Sequence, residues 1–350
     1  MTAFIAPTVA AIANPELAAK LQQKIDHKTK PQGSLGRIEA LALQLGMIQN
    51  TTAPSIINPE IYVFAADHGL TKHGTSAFPS AVTAQMVQNF LNGGAAINVL
   101  ARQHHIGLKV VDAGVNATFA PHTDFLDRKV RMGSRDALTE PAMTAEECQT
   151  ALNHGVMIAE NMAGNLLIVG EMGIGNTSAA SLLLAKLGNL PIATCIGRGT
   201  GLDDEGLAKK QAILSQVLAR HDSAKSPFDI LAALGGLEIA MMAGALIKAA
   251  SLRKILLIDG FIASSALLVA ENLAPNTAQF AVFAHKSAEA GHIEMLKLLD
   301  AKPLLDMDLR LGEGSGAALA YPLLVSACAM INEMASFSEA GISEKSASAD

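Results

Sequence analysis

The sequence predicts an α/β protein built on a mostly parallel sheet, and three observations carry that expectation. Short apolar runs alternate with helical patterns over most of the chain, at residues 61–66, 108–111, 166–169, 192–196, 255–258 and 280–284. The runs are continuous rather than alternating, as strands buried on both faces are. Strand–helix alternation demands crossover connections, and these make successive strands parallel.

Composition agrees. Half of the 350 residues are hydrophobic and 17% are charged, which supports a large core and excludes a disordered chain. The apolar residues are mostly Ala, Leu, Ile, Val and Met, with no Trp and two Tyr, a set suited to close helix-on-sheet packing. Net charge is −6 without a basic stripe, which speaks against a nucleic-acid or anionic-membrane surface. Cys148, Cys195 and Cys328 are odd in number and widely spaced, as expected of a reducing, cytoplasmic setting.

The elements follow in order. Residues 3–13 are mildly apolar, but no Lys or Arg precedes them and Pro7 interrupts them, so they read as a lead-in rather than a targeting segment. Asn14-Pro15-Glu16 is a helix start, with the helix running to about His27. A turn-rich loop at 30–36 precedes a second helix from about 37 to 49. The strand–helix region follows, and within it Thr144 and Glu147 form a capping box. Residues 316–334 read as one or two apolar helices that pair with the N-terminal helices, and their apolar stretch at 317–331 is too short for a membrane span and contains Pro322. The expected organisation is a catalytic α/β domain at 55–310, a small helical domain from 1–54 with 311–335, and a frayed tail at 336–350.

Most of the apolar runs end on polar or glycine-rich residues: Asp67-His68-Gly69, Asp112-Ala113-Gly114, Gly170-Glu171, Gly197-Arg198-Gly199, Asp259-Gly260 and His285-Lys286-Ser287. Asp and Gly are ordinary turn residues one at a time. Six such ends together predict one shared crevice, because open α/β sheets bind ligands beyond the carboxyl ends of their strands.

Three glycine-rich segments carry the chemistry. Residues 170–178 leave a strand and open a helix, so Gly173, Gly175 and Asn176 make a phosphate cradle or simply a tight turn. The spacing is neither a dinucleotide fingerprint nor a P-loop. Residues 197–204 bring Gly199, and then Asp203 and Asp204, either a helix start or an acidic pair, with Lys209 and Lys210 about two turns on. Residues 309–316 place Glu313 between glycines and apolar neighbours, where a carboxylate gains a raised pKa and serves as a base, or else merely precedes a helix. Residues 74–85 set small polar groups beside Phe78, a pattern suited to a flat, largely apolar ligand. His68 and His73 lie near Asp67 without an evident third ligand, so no metal is expected.

These segments, in this order, resemble the nicotinate-nucleotide:dimethylbenzimidazole phosphoribosyltransferase family. The matching stretches are KPQGSLGRIE at 30–39, ADHG at 66–69, SAFPSAVTAQM at 76–86, DAGV at 112–115 and GEMGIGNTS at 170–178. They continue with GRGTGLDD at 197–204, LGGLEIA at 234–240, DGFI at 259–262, HKSAEAGH at 285–292 and LRLGEGSGAA at 309–318. The resemblance implies a Rossmann-like sheet with helices on both faces, a small helical domain from both chain ends, a homodimer and no cofactor. It implies Glu313 as general base with Glu171 in the same site. It implies Ser76, Gln85, Met86 and Leu311 around the benzimidazole. It implies Gly173, Gly175, Asn176, Gly199, Lys210 (or its neighbour Lys209) and Ser287 around the nucleotide phosphate, and Asp259 at the ribose. Two other classes stand beside it: an NAD-dependent oxidoreductase, for which the glycine spacing is wrong, and a non-catalytic nucleotide-binding protein, which would have no need of Glu313.

Overall fold

The computed structural model describes residues 4–199 and 201–343. Six strands form the main sheet: β1 (Glu60–Ala66), β2 (Gly107–Gly114), β3 (Phe125–Asp127), β4 (Leu166–Met172), β5 (Ile255–Ile258) and β6 (Ala281–Phe283). Their order is β3-β2-β1-β4-β5-β6, and every adjacent pair is parallel. This is the doubly wound order, whose direction of winding reverses between β1 and β4. A two-stranded parallel ribbon, β7 (His285–Lys286) with β8 (Leu305–Asp306), continues beyond β6.

The helices are α1 (Pro15–Asp26), α2 (Arg37–Gln49), α3 (Ala81–Leu91), α4 (Ala96–Gln103), α5 (Ala145–Asn161), α6 (Asn176–Gly188) and α7 (Ile192–Cys195). They continue with α8 (Asp204–Arg220), α9 (Pro227–Leu234), α10 (Leu237–Ser251), α11 (Phe261–Leu273), α12 (Ala290–Leu298), α13 (Ser315–Glu333) and α14 (Phe337–Ala340). β5 is buried throughout and β4 at every residue but Met172, so helices cover both faces and the strands read as unbroken apolar runs. α10 packs on β1, β2, β4 and β5, while α3, α4, α13 and α2 form a second set of sheet contacts.

Local signals placed the helix ends. Asn14 accepts the Leu17 N–H at 3.1 Å, and Pro15 occupies the first helical position. Thr144 and Glu147 form the expected reciprocal box at α5. Asp203 caps α8 by accepting the Gly206 N–H, so the first of the two aspartates is a helix start.

Two expectations are corrected. Residues 192–196 are not a strand: Ile192–Cys195 is the short helix α7, capped by Pro191. Pro191 has no N–H for a ladder, Thr194 is exposed, and β5 already occupies the place beside β4. A short apolar run does not by itself distinguish the two states. Nor does the chain fray from residue 336. Ser336 bridges to Lys28, the Phe337 N–H donates to the His27 carbonyl at 3.0 Å, and Ser336 and Glu339 box the start of α14. The rest of the expected tail, 344–350, lies outside the described residues. Nothing in the sequence marked β3, an edge strand of three residues.

α13 is long and apolar enough to cross a bilayer by length and composition, yet half of it is buried within the fold. It packs on α2, α4 and β5, and α1 packs on α2, so the two chain ends meet.

α5 and α10 cross at main-chain distance. A Cβ on Gly155 would lie 1.9 Å from the Met241 carbonyl oxygen, and one on Gly244 2.0 Å from that of Leu152. α10 cannot retreat without uncovering the sheet, and α5 cannot without giving up its packing on α10. Gly155→Leu is therefore expected to destabilise the fold by about 1–3 kcal/mol or more, read as a lower urea midpoint against an exposed control such as Met157→Leu.

Candidate active site

The carboxyl ends of β4, β5 and β6 open on a cavity of about 430 Å³ beside the β1/β4 reversal. β4 delivers Glu171. Its chain then turns through Gly173–Gly175 into α6, with the Ile174 N–H donating to Thr83 Oγ1 at 3.1 Å. Glu171 is 8% exposed, and the Asn176 amide donates to its Oε2. Burial pushes its pKa up to about 8, with Asp259, Glu238 and Glu313 adding to the rise and Asn176 opposing it.

Glu313 arrives from the loop before α13. It has φ +66°, between Gly312 at +89° and Gly314 at +87°. A non-glycine residue in this region is strained by roughly 1–2 kcal/mol. The loop is pressed onto β4: a Cβ on Gly170 would lie 2.2 Å from the Glu313 carbonyl oxygen, and one on Gly312 2.1 Å from Glu171 Oε1. Glu313 is 5% exposed, and its Oε2 faces the Ile97 N–H at the start of α4, 3.4 Å away. Burial raises its pKa and the charge of Asp259 adds to this, while the Ile97 N–H works against it.

Asp259 closes β5. Its Oδ1 accepts the Ala317 N–H at 2.9 Å and its Oδ2 the Gly314 N–H at 3.2 Å. His285 Nε2 lies 3.6 Å from Oδ1. Burial opposes a charge on His285, but Asp259 outweighs it and the pKa is raised. Ser287 donates its N–H to His292 Nδ1 at 2.8 Å. That bond leaves the Nε2 proton of His292 to donate to Ser264 Oγ, 3.1 Å away. Burial, with His285 nearby, pushes the His292 pKa down to about 3, so this ring is a neutral strut.

Lys210 is wholly buried behind the Gly199 and Thr177 wall. It donates to Thr177 Oγ1 at 3.0 Å and to the Gly197 carbonyl at 3.3 Å. Burial pulls its pKa down to about 8, partly offset by Glu289. Lys209 is exposed and reaches toward Gly74 instead.

Nine of the expected residues line the cavity together: Glu171, Glu313, Met86, Leu311, Gly173, Asn176, Gly199, Asp259 and Ser287. Four do not. Lys210 stands one layer behind the wall. Gly175 is the left-handed cap of α6, φ +93°, pressed against Thr71. Gln85 is exposed, because α3 turns Val82 and Met86, one turn apart, toward the cavity. Ser76 Oγ accepts the Phe78 N–H at 3.4 Å, and Phe78 rather than Ser76 reaches the wall. The wall also holds Thr177, Phe261, Ile262, Glu289 and Arg310, to which the sequence attaches no role, and His285, expected only as part of a strand end at the crevice. His285 and Glu289 sat in the HKSAEAGH stretch and Arg310 beside Leu311, so those segments were marked and only the side chains were not. The two histidines near Asp67 bind acids: His68 Nε2 meets Glu238 Oε1, and His73 Nε2 meets Asp136 Oδ2, at 2.7 and 2.8 Å.

A protein family described as phosphoribosyltransferase matches residues 11–342. The nicotinate-nucleotide–dimethylbenzimidazole phosphoribosyltransferase of Variovorax paradoxus (strain S110) is 53% identical over 339 residues, 97% of each chain. The enzyme of that name from Cupriavidus taiwanensis (strain DSM 17343) is 55% identical over 329 residues, 93% of this chain and 95% of its own. A crystal structure of CobT from Thermus thermophilus covers 95% of this chain and all of its own at 41% identity, with a TM-score of 0.92.

The Glu171 carboxyl group is held neutral up to about pH 8, whereas an unfolded glutamate ionises near 4.5. The folded state therefore loses stability relative to the unfolded as pH rises through that window. Glu171→Gln removes the loss. Its Tm advantage over the parent is expected to grow from pH 4.5 to pH 8 and then level off, and a constant difference across that range would contradict the assignment.

Proposed function

We propose, from the premise that the chain belongs to the nicotinate-nucleotide–dimethylbenzimidazole phosphoribosyltransferase family, the following division of work among its residues. The chain is a pentosyltransferase. It moves the phosphoribosyl group of nicotinate mononucleotide to 5,6-dimethylbenzimidazole, a step of cobalamin nucleotide-loop assembly, and yields α-ribazole 5′-phosphate and nicotinate.

The chemistry asks little of the protein. The pyridine nitrogen of nicotinate mononucleotide is cationic and leaves neutral, so no general acid is needed, and no pyrophosphate departs that would call for Mg²⁺. The incoming benzimidazole attacks C1′ with one nitrogen while the other sheds its proton. Attack opposite the leaving ring inverts C1′ and gives the α-linkage.

Glu313 takes that proton. The observation that carries this reading is a buried carboxylate held in left-handed backbone at the wall of the cavity that Phe78, Val82, Met86 and Leu311 also line. A positioned base supplies roughly 10²–10⁴-fold. Alignment of two bound reactants supplies about 7–11 kcal/mol more. The acids Glu171 and Glu313 give the cavity an acidic end suited to a cationic ring and to positive charge developing on the ribose. Glu171 is neutral near pH 7 in the field of its neighbours, and a bound cation draws it toward its ionised form. The phosphate lies at the Gly173, Gly199 and Ser287 end, over Lys210 and the start of α6.

An oxidoreductase reading loses its ground here. The strand order suits a dinucleotide, but the turn after β1 is Asp67-His68-Gly69, without the required glycine spacing. The three free, buried cysteines suit a cytoplasmic setting. We assign the working unit as a homodimer, as the family resemblance implies. We also divide the chain into an α/β body and a helical unit from its two ends, the second bringing Glu313 to the first.

Incubating the protein with nicotinate mononucleotide and 5,6-dimethylbenzimidazole is expected to give free nicotinate and a new ribotide by mass spectrometry. Absence of both products would refute the function. Glu313→Gln is expected to lower kcat roughly 10²–10⁴-fold with nucleotide affinity kept. Lys210→Ala is expected to raise the nucleotide KM roughly tenfold, because it removes the positive charge behind the glycine wall and the hydrogen bonds that hold Thr177 and Gly197 in that wall. The raised Glu313 pKa places the acid limb of kcat/KM above pH 4.5, because activity falls as the base is protonated.

A further inference from the structure

Asp259 is the acid on the sheet with the most direct hold on the loop that carries Glu313. Gly314 is the N-cap of α13 and provides no side chain to cap it. Two main-chain donors of that first turn, Gly314 N–H and Ala317 N–H, point instead into the two oxygens of Asp259, which arrives from a strand end 55 residues earlier. Unpaired donors at a helix start otherwise need water or a local side chain. The carboxylate is 3% exposed and wedged in place: a Cβ on Gly316 would lie 2.9 Å from Asp259 Oδ1 and 2.1 Å from His285 Cδ2. His285 Nε2 stands beside the same oxygen at 3.6 Å. Glu313 precedes the captured Gly314 directly and sits in left-handed backbone that relaxes unless both sides of the loop are held. Gly170 blocks one side and Asp259 grips the other.

We propose that Asp259 is a positioning residue that fixes the Glu313 loop on the start of α13, rather than a ligand of the ribose. The inference rests on the reading of Glu313 as the base. It differs from the ribose contact implied by family resemblance in that each oxygen of the carboxylate accepts a main-chain N–H of the loop and helix start that carry Glu313.

The test is a double-mutant cycle on the full chain. Asp259→Asn, Glu313→Gln and the double variant are compared in steady-state turnover of nicotinate mononucleotide with 5,6-dimethylbenzimidazole, and in calorimetric binding of nicotinate mononucleotide alone. Asp259→Asn is expected to lower kcat about tenfold or more while nucleotide binding stays within about twofold. Combined with Glu313→Gln, it is expected to add less than about twofold to the loss, since both act through one carboxylate. Three results overturn the proposal: binding weakened about tenfold or more at unchanged kcat, which makes Asp259 a sugar ligand; a full-sized additional loss on the Glu313→Gln background; or an Asp259→Asn chain that does not fold while Glu313→Gln does, which makes it a plain helix cap. Failure of the function itself is read separately, as a parent chain that forms no ribotide.

Discussion

Everything in this site depends on the contact between the Gly312–Glu313–Gly314 loop and the end of β4. The loop lies main chain on main chain, so close that position 170 has no room for a side chain and position 312 none beside Glu171. All three loop residues are left-handed. Such a backbone is unfavourable for glutamate alone and persists only where its surroundings over-determine it. β4, Asp259 and the first turn of α13 do this together. What results is a buried carboxylate fixed in the wall of an open-mouthed cavity, the state in which a weak acid becomes a useful base.

Burying acids together has a cost, and the structure distributes it. Glu171, Asp259 and Glu313 share one end of the cavity, and burial together with mutual repulsion raises the proton affinity of Glu171 and Glu313. Histidines stand against this charge. His68 meets Glu238 directly below Gly173, and His285 meets Asp259. Burial works against a charge on His68, yet Glu238, with Asp67 and Glu171, outweighs it and raises its pKa. At the opposite end Lys210 is buried beneath the glycine wall with a depressed pKa. A ligand with a cationic ring and a phosphate, placed as proposed above, would relieve both costs on binding.

The doubly wound sheet is used without its usual loop. Nucleotide-binding sheets of this order place glycines after β1. Here the glycine turn follows β4, on the far side of the winding reversal, and a second glycine segment follows the short helix α7. The acids come from β4, β5 and the start of α13, three elements whose ends converge although they lie far apart along the chain. Strand order decides where a crevice lies, and the loops decide what it binds.

The sequence alone determined the parallel sheet, the two N-terminal helices, the caps at Asn14 and Thr144, and the glycine segments that hold Glu171 and Glu313. These are local features: continuous burial, a capping side chain, a turn that needs glycine. It misread 192–196 because so short an apolar run has no period, and it passed over the Ser336–Glu339 box that docks the end of the chain. Only the tertiary structure decided which side chains face the cavity. Gln85 and Met86 are adjacent in sequence yet separated by the turn of α3, Lys209 and Lys210 by that of α8, and Asp259 found its partners 55 residues away. Spacing shows which residues share a helix face, but which face meets the cavity, and which distant strand ends converge on it, is decided only by packing in the folded chain.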